Sequence, residues 1–333
     1  MRTQKHVLLF GAAWMGMLLI AGCRKNNDAP ATPAAADPAA IVEDGSVLTP
    51  VGYMDKSKVH YIAPGFHLNV ANGHLQKVES ATGRLVEDFG EVKPLETKYN
   101  LALRGTLGNI DNSATTGSRV VPYVQGWIAY SYWTNTNTSN PITNFTTNWV
   151  VPSVPSNKGS QTIFLFNGMQ NGTTSASYII QPVLQWGPSA AGGGKYWSIT
   201  NWYVSSSSAF YGSLVNVSTG TTLKGILKQT AVSGSNYSYN SSFSGYPASN
   251  ALQINNVPQA YWASETLESY GVSTPSTMYP PNSYVAMSSI VMQQGSAYAP
   301  LSWSTAQATA GSAQKAVVVS NSASNGEVDI YFR

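Results

Sequence analysis

The chain is most informative in what it leaves out. It holds one cysteine in 333 residues, Cys23, so no internal disulfide can form. Charged residues make up only 10%, against roughly a quarter in average soluble domains. Between residues 112 and 326 there is no aspartate, no histidine and no cysteine, and the only carboxylates are Glu265 and Glu268. That scarcity removes most hydrolytic and metal chemistry from two thirds of the polypeptide. Ser-His-Asp and Cys-His sites need a histidine. Zinc needs converging His, Cys or carboxylate ligands, and calcium several oxygen donors. A glycosidase needs two carboxyl groups facing one cleft. Glu265 and Glu268 are three residues apart, and a regular strand sends such positions to opposite faces. No cofactor is expected. A net charge of +3 without clustered basic residues gives no footprint for nucleic acid.

Long apolar runs are also lacking. An uncharged stretch near the start, Val7 to Ile20, follows Arg2 and Lys5 and ends in Ile20-Ala21-Gly22-Cys23. It is short for a membrane span and reads as a signal peptide over 1–22. Its last four residues resemble the bacterial lipobox. The resemblance implies acylation of Cys23, which becomes the mature N-terminus and anchors the protein in the cell envelope, outside the cytoplasm. Residues 23–48 are rich in Ala, Pro and Asp with no hydrophobic period, as expected of a disordered tether.

What is present is strand-forming. Residues 49–111 hold most of the acids after the tether and His60, His67 and His74, which are expected at solvated turn or strand positions. FHLNVANGHLQKV predicts a hairpin, because Asn72-Gly73 suits a tight turn with positive φ at both central residues. This region is read as a small β subdomain or a propeptide. From 112 to 333, runs such as TTNWVVP, QTIFLFN, SYIIQPVLQW, KYWSITNWYV and QAYWASETLESYG alternate polar with apolar residues, between turn residues. Many short strands at this spacing predict an all-β, two-sheet antiparallel sandwich.

One mechanism survives the eliminations. A single Glu can take a proton from water while a side-chain amide donates to the forming oxyanion. Three stretches in chain order resemble the glutamic peptidase (eqolisin) family, whose fold is a β-sandwich similar to concanavalin A-like jelly rolls. TNWVVPSVPSNKGSQTIFLFNG is similar to its "NVPS…WVGIDG" strands, YIIQPVLQWG to "ILQ-x-G", and KYWSITNWYV to "WYEWYP". QAYWASETLE then falls on "AEFIIEDFE". The resemblance runs from Thr147 to Glu268. It places the family's glutamine on Gln181, with Gln185 as the nearby competitor. The catalytic Glu falls on Tyr261, the second Glu on Glu265, the Glu of "WYEWYP" on Asn201, and the tryptophan before "VGIDG" near Phe164. Because Tyr261 replaces the acid, the candidate dyad becomes Gln181 with Glu265, and Glu268 is its rival. Glu265 lies about 13 Å along the strand from Tyr261. The resemblance thus implies peptide hydrolysis. The alternative is a non-catalytic module that grips glycan or peptide with Gln185, Trp186, Asn201, Trp202, Tyr261 and Trp262, in an aromatic groove to which Trp149 and Trp197 add.

Overall fold

The computed structural model describes residues 45–95, 125–173, 176–205, 207–309 and 311–333. The signal segment, Cys23, the tether up to residue 44 and the expected boundary at 111/112 lie outside the described residues.

The described residues form two large sheets and a small hairpin. The first sheet runs β20 (Ser304–Gln307), β7 (Gly126–Thr134), β17 (Trp262–Tyr270), β9 (Thr162–Gln170), β10 (Tyr178–Ser189), β11 (Gly192–Ser205), β12 (Ala209–Tyr211) and β3 (Val59–Tyr61), with β13 (Val215–Asn216) also on β11. The second runs β21 (Lys315–Ser320), β22 (Gly326–Tyr331), β18 (Tyr284–Gln294), β8 (Ile142–Val150), β14 (Thr222–Ser233), β15 (Asn236–Phe243), β16 (Leu252–Val257), β4 (Phe66–Ala71), β5 (His74–Glu79) and β6 (Leu85–Glu91), with β19 (Ala297–Tyr298) on β18. The hairpin is β1 (Ser46–Thr49) with β2 (Gly52–Asp55). Among the described residues the one α-helical turn, α1 (Pro275–Met278), follows β17.

The fold is the expected all-β sandwich. Its pairing is antiparallel except where β3 joins β12 and β4 joins β16, both in parallel. Those two joints tie the N-terminal region into the main body. Apart from β1–β2, the strands of residues 49–95 extend the two large sheets and form no separate subdomain sheet. The physical reason is that each sheet otherwise ends in an unpaired strand edge, which a short added strand satisfies. All described residues fall in one compact unit. The hairpin read from Asn72-Gly73 forms, with φ of 52° and 78° at these residues and Phe66 opposite Glu79.

The main core lies between the sheets. Leu165, Leu184, Ile199 and Leu267 of the first sheet meet Phe145, Trp149, Leu223 and Leu227 of the second. A second apolar cluster covers the outer face of the first sheet. There Trp127, Phe164, Phe166, Trp202, Trp262 and Tyr270 pack with Leu48, Val51 and Met54 of the β1–β2 hairpin. Central strands β9 and β17 are therefore buried at all nine positions each. They are covered by the second sheet on one side and, at the outer cluster, by the hairpin on the other.

Candidate functional site

Strand alternation sorts the candidate residues onto two faces. On β17, Ala263 and Leu267 belong to the inter-sheet core, and Glu265 between them points the same way. Its Oε1 accepts a hydrogen bond of 2.5 Å from Thr147 Oγ1, and Thr147 sits on β8 of the opposite sheet. Glu268 points outward with Trp262 and Tyr270, and its Oε1 accepts from the Tyr270 hydroxyl at 2.5 Å. The two acids thus lie on opposite sides of one sheet, and both are fully buried.

The glutamines face outward. Gln181 lies between Ile179 and Val183, which belong to the outer cluster, and Gln185 follows in the same phase. Glu265 points inward, so the structure does not bring Gln181 and Glu265 together. A strand's period of two separates them, and no shift within the observed register repairs it. Glu268 is on the right face for Gln181 but in the wrong row. Gln181 is level with Ser264, because Ile180 pairs with Met169, Val183 with Phe166 and Ser264 with Gly168. Glu268 lies four residues further along β17, about 13 Å away in that direction alone.

The pair that does share a row is Gln185 and Glu268. Gln185 pairs with Phe164 on β9, and Phe164 pairs with Glu268 on β17. Two strand spacings put their Cα atoms about 10 Å apart on one face. Gln185 is nevertheless committed elsewhere. Its Nε2 donates to Gly187 O at 2.7 Å and Gly192 O at 2.9 Å, and its Oε1 accepts from Ser189 Oγ at 2.8 Å. An amide nitrogen has two protons, so none is left for an oxyanion. These contacts close the bulge at Trp186/Gly187, where β10 turns into β11.

Around Glu265 there is a sealed polar row. Ser131 on β7 and Asn167 on β9 are its register neighbours. The Ser131 hydroxyl, both amide atoms of Asn167 and Glu265 Oε2 have no hydrogen-bond partner. Gly225 of the opposite sheet closes over them, since a Cβ there would lie within 3 Å of Asn167 Oδ1, Trp149 Cη2 and Pro182 Cγ. Burial drives the Glu265 carboxyl well above the ordinary carboxylate range, opposed by the Thr147 hydroxyl bond. An ionised carboxylate without a countercharge costs several kcal/mol in such surroundings. Burial thus favours the protonated form of Glu265, and its position between the sheets keeps it from the water that a substrate outside would need.

The other expected binding residues are structural in their contacts. Trp186 packs edge-on against Trp197 inside the sandwich, 5.5 Å between ring centroids. Trp149 shares that core. Trp202 and Trp262 lie on the outer cluster beneath the hairpin. The expected aromatic groove does not form, because the five tryptophans divide between two faces and all are buried. Asn201 donates to Asn250 O and Oδ1 and accepts from Ser241, inside the fold. Tyr261 precedes β17 and is only half-buried, with its main chain bonded to Asn135 and Gln170. His74 is exposed beside Asp88, whereas His67 is half-buried beside Ser80, and that burial lowers its pKa. His60 departs from expectation: it packs between Phe89 and Phe210, and that burial lowers its pKa. Among the described residues no three His, Cys, Asp or Glu side chains are placed to hold a metal ion.

Two features had unequal signals in the sequence. Tyr270 stands two residues after Glu268, so alternation alone places them on one face. Thr147 is 118 residues from Glu265, and nothing local announces that pairing.

No protein-family model matches the chain, and no curated protein matches it either. Among solved structures, scytalidoglutamic peptidase with a peptide-based transition-state analogue is similar at 12% identity and a TM-score of 0.40, over 62% of this chain and 98% of that one. SCP-B, a member of the eqolisin family of peptidases in complex with the tripeptide Ala-Ile-His, is similar at 10% identity and a TM-score of 0.38, over 62% and 98%. The CBM2 module of the evolved Dit of Lactobacillus casei BL23 phage J-1 is similar at 12% identity and a TM-score of 0.28, over 61% and 70%. The structural neighbours thus include glutamic peptidases, at a similarity that assigns this chain to no family.

Proposed function

We propose that this protein is a recognition module held at the bacterial cell envelope by a lipid on Cys23, with a peptidase-like sandwich whose acids are withdrawn from catalysis. The anchor rests on the signal pattern and the lone cysteine at its end. The observation that carries the rest is the disposition of the two acids. Glu265 is sealed between the sheets and Glu268 is bonded to Tyr270 beneath the hairpin. The amide in the same row as Glu268 has both protons on main-chain carbonyls. A general base must come within hydrogen-bond or one-water reach of its proton, and neither acid offers that to an outside substrate. The intact chain is expected to leave casein uncut across about pH 2–8, the span over which a carboxyl base titrates. Cleavage that disappears in both Gln185→Ala and Glu268→Gln defeats the reading.

A second reading has one observation in its favour: Gln185 and Glu268 occupy one row on the face of the first sheet that the hairpin packs against. Here the chain is a latent glutamic-type peptidase. The turn Lys56–Lys58 after the hairpin is exposed, so a trypsin cut there would free residues before it. Casein cleavage that appears after this cut, and is lost in Glu268→Gln, supports latency. Silence after a verified cut and loss of the hairpin rejects it.

A further inference from the structure

The outer face of the second sheet carries an open groove of about 470 Å³. Its floor is the three central strands β14, β8 and β18. Thr222 pairs with Val150, and Ser288 pairs with Asn148. The walls are the chain after β8, around Ser153, and Asn282 before β18. The two walls are tied together, since Ser153 N donates to Asn282 Oδ1 at 2.9 Å. On the floor, Asn148 Oδ1 has no hydrogen-bond partner. At the rim, Tyr284 is 43% exposed. Its ring is steadied by Tyr331, 5.1 Å away on the paired strand. Not one Asp, Glu, Lys or Arg lines the groove.

We infer that this groove is a binding site for a neutral oligosaccharide, which deepens the recognition reading and rests on it. The chemistry selects the ligand class. The lining itself carries no charge, and one exposed cation beside the floor, Lys224 opposite Asn148, gives a charged ligand little to offset its desolvation. A peptide strand is disfavoured on geometric grounds. β8 is paired on both sides, by β14 and β18, so the groove floor offers no free strand edge for main-chain pairing. What remains is neutral amides and hydroxyls, with apolar patches at Val150, Val151, Pro152 and Ala286, beside an exposed aromatic ring held in place. Sugar hydroxyls match the amide and hydroxyl groups as both donors and acceptors, and sugar ring faces match the tyrosine. The volume falls within the usual range for small-ligand sites. Strand β18 is also bulged between Met287 and Ile290, with Ser289 at φ 48°. Bulges of this kind commonly mark places where a strand re-aims side chains.

The test uses the full exported chain, with cellohexaose, laminarihexaose, xylohexaose and chitohexaose titrated in parallel and a tryptic casein digest as the peptide arm. Saturation-transfer NMR and calorimetry read binding. At least one saccharide is expected to bind. Tyr284→Ala is expected to weaken it roughly three- to tenfold, as for the loss of one stacked ring, and Thr222→Arg to abolish it by filling the floor with a charged chain. Tyr298→Ala, an exposed tyrosine outside the groove lining, leaves binding unchanged. Saccharide binding indifferent to both groove variants overturns this site while the recognition reading stands. Binding of the casein peptides alone overturns the ligand class but not recognition. No binding of any probe overturns the inference and removes the support for recognition as well.

Discussion

The two outer faces of the sandwich make an instructive pair. The first sheet's outer face holds three tryptophans, two phenylalanines, an acid and two glutamines, the residues a ligand platform would want. The protein covers the aromatic cluster there with its own β1–β2 hairpin, through Leu48, Val51 and Met54. The hairpin is bonded to the body by Ala190 N to Leu48 O at 2.8 Å, and Tyr53 meets Tyr270 edge-on at 6.2 Å. The groove on the second sheet's outer face is open, and the one tryptophan that borders it, Trp149, has its side chain buried in the core between the sheets. Aromatic content therefore marks burial on the first face, while accessible chemistry lies on the plainer one.

The sharpest way to break this contrast is to remove the cover. Replacing Leu48, Val51 and Met54 together by Ser is expected to cost about 5 kcal/mol, at roughly 1.5–3 kcal/mol per buried apolar side chain. The intrinsic fluorescence should shift to the red as Trp127, Trp202 and Trp262 meet water. Equal stability and an unchanged spectrum would mean that the hairpin does not seal that face. Next in size is Gly225→Ala. Its Cβ has no room beside Asn167, Trp149 and Pro182, and overpacking of this kind costs about 3 kcal/mol. Denaturant midpoints read it, and a neutral outcome would show that the polar row around Glu265 is not tightly closed.

The third prediction concerns pH. The native state holds the Glu265 proton, because its pKa is raised by burial, whereas the unfolded chain releases it near the ordinary 4.5. This contribution is fully present below that value and is lost as pH rises towards the native pKa. Melting temperature is expected to fall between pH 4 and 7 in the parent relative to Glu265→Gln, which has no proton to lose. Parallel curves for the two proteins would place Glu265 in contact with solvent. The smallest effect is expected at the open face. Tyr284→Ala should change stability by no more than about 0.5 kcal/mol, as for other exposed sites. A larger loss would make the ring part of the fold and not of a groove.

Much of the fold was legible. Alternation gave strands, and Asn72-Gly73 gave a hairpin with the expected positive φ angles. The opposite facing of Glu265 and Glu268 also followed from their spacing. The site was less legible, for a definable reason. Alternation says that two residues share a face but not which face it is. Gln181 and Glu265 sit on different strands, so only the cross-strand register decides whether they meet. Gln185, the competitor, and Glu268, the rival, turned out to share the row. The fold-back of residues 46–61 onto the first sheet was not legible, because β3 finds its partner β12 about 150 residues downstream. Nor was the division of Trp149, Trp186, Trp197, Trp202 and Trp262 between an inner and an outer cluster. A tryptophan reads alike in sequence whether a sheet or a hairpin covers it.

Both acids are out of reach of solvent in the folded chain. Carbodiimide coupling of glycinamide to the native chain, followed by proteolysis and mass spectrometry of the segment containing Glu265 and Glu268, tests that burial directly. No adduct is expected on either residue in the folded protein and full labelling of both after denaturation, with exposed acids such as Glu87 labelled throughout. An adduct on Glu265 or Glu268 in the native state would contradict that burial and return a carboxylate to the surface of the sandwich.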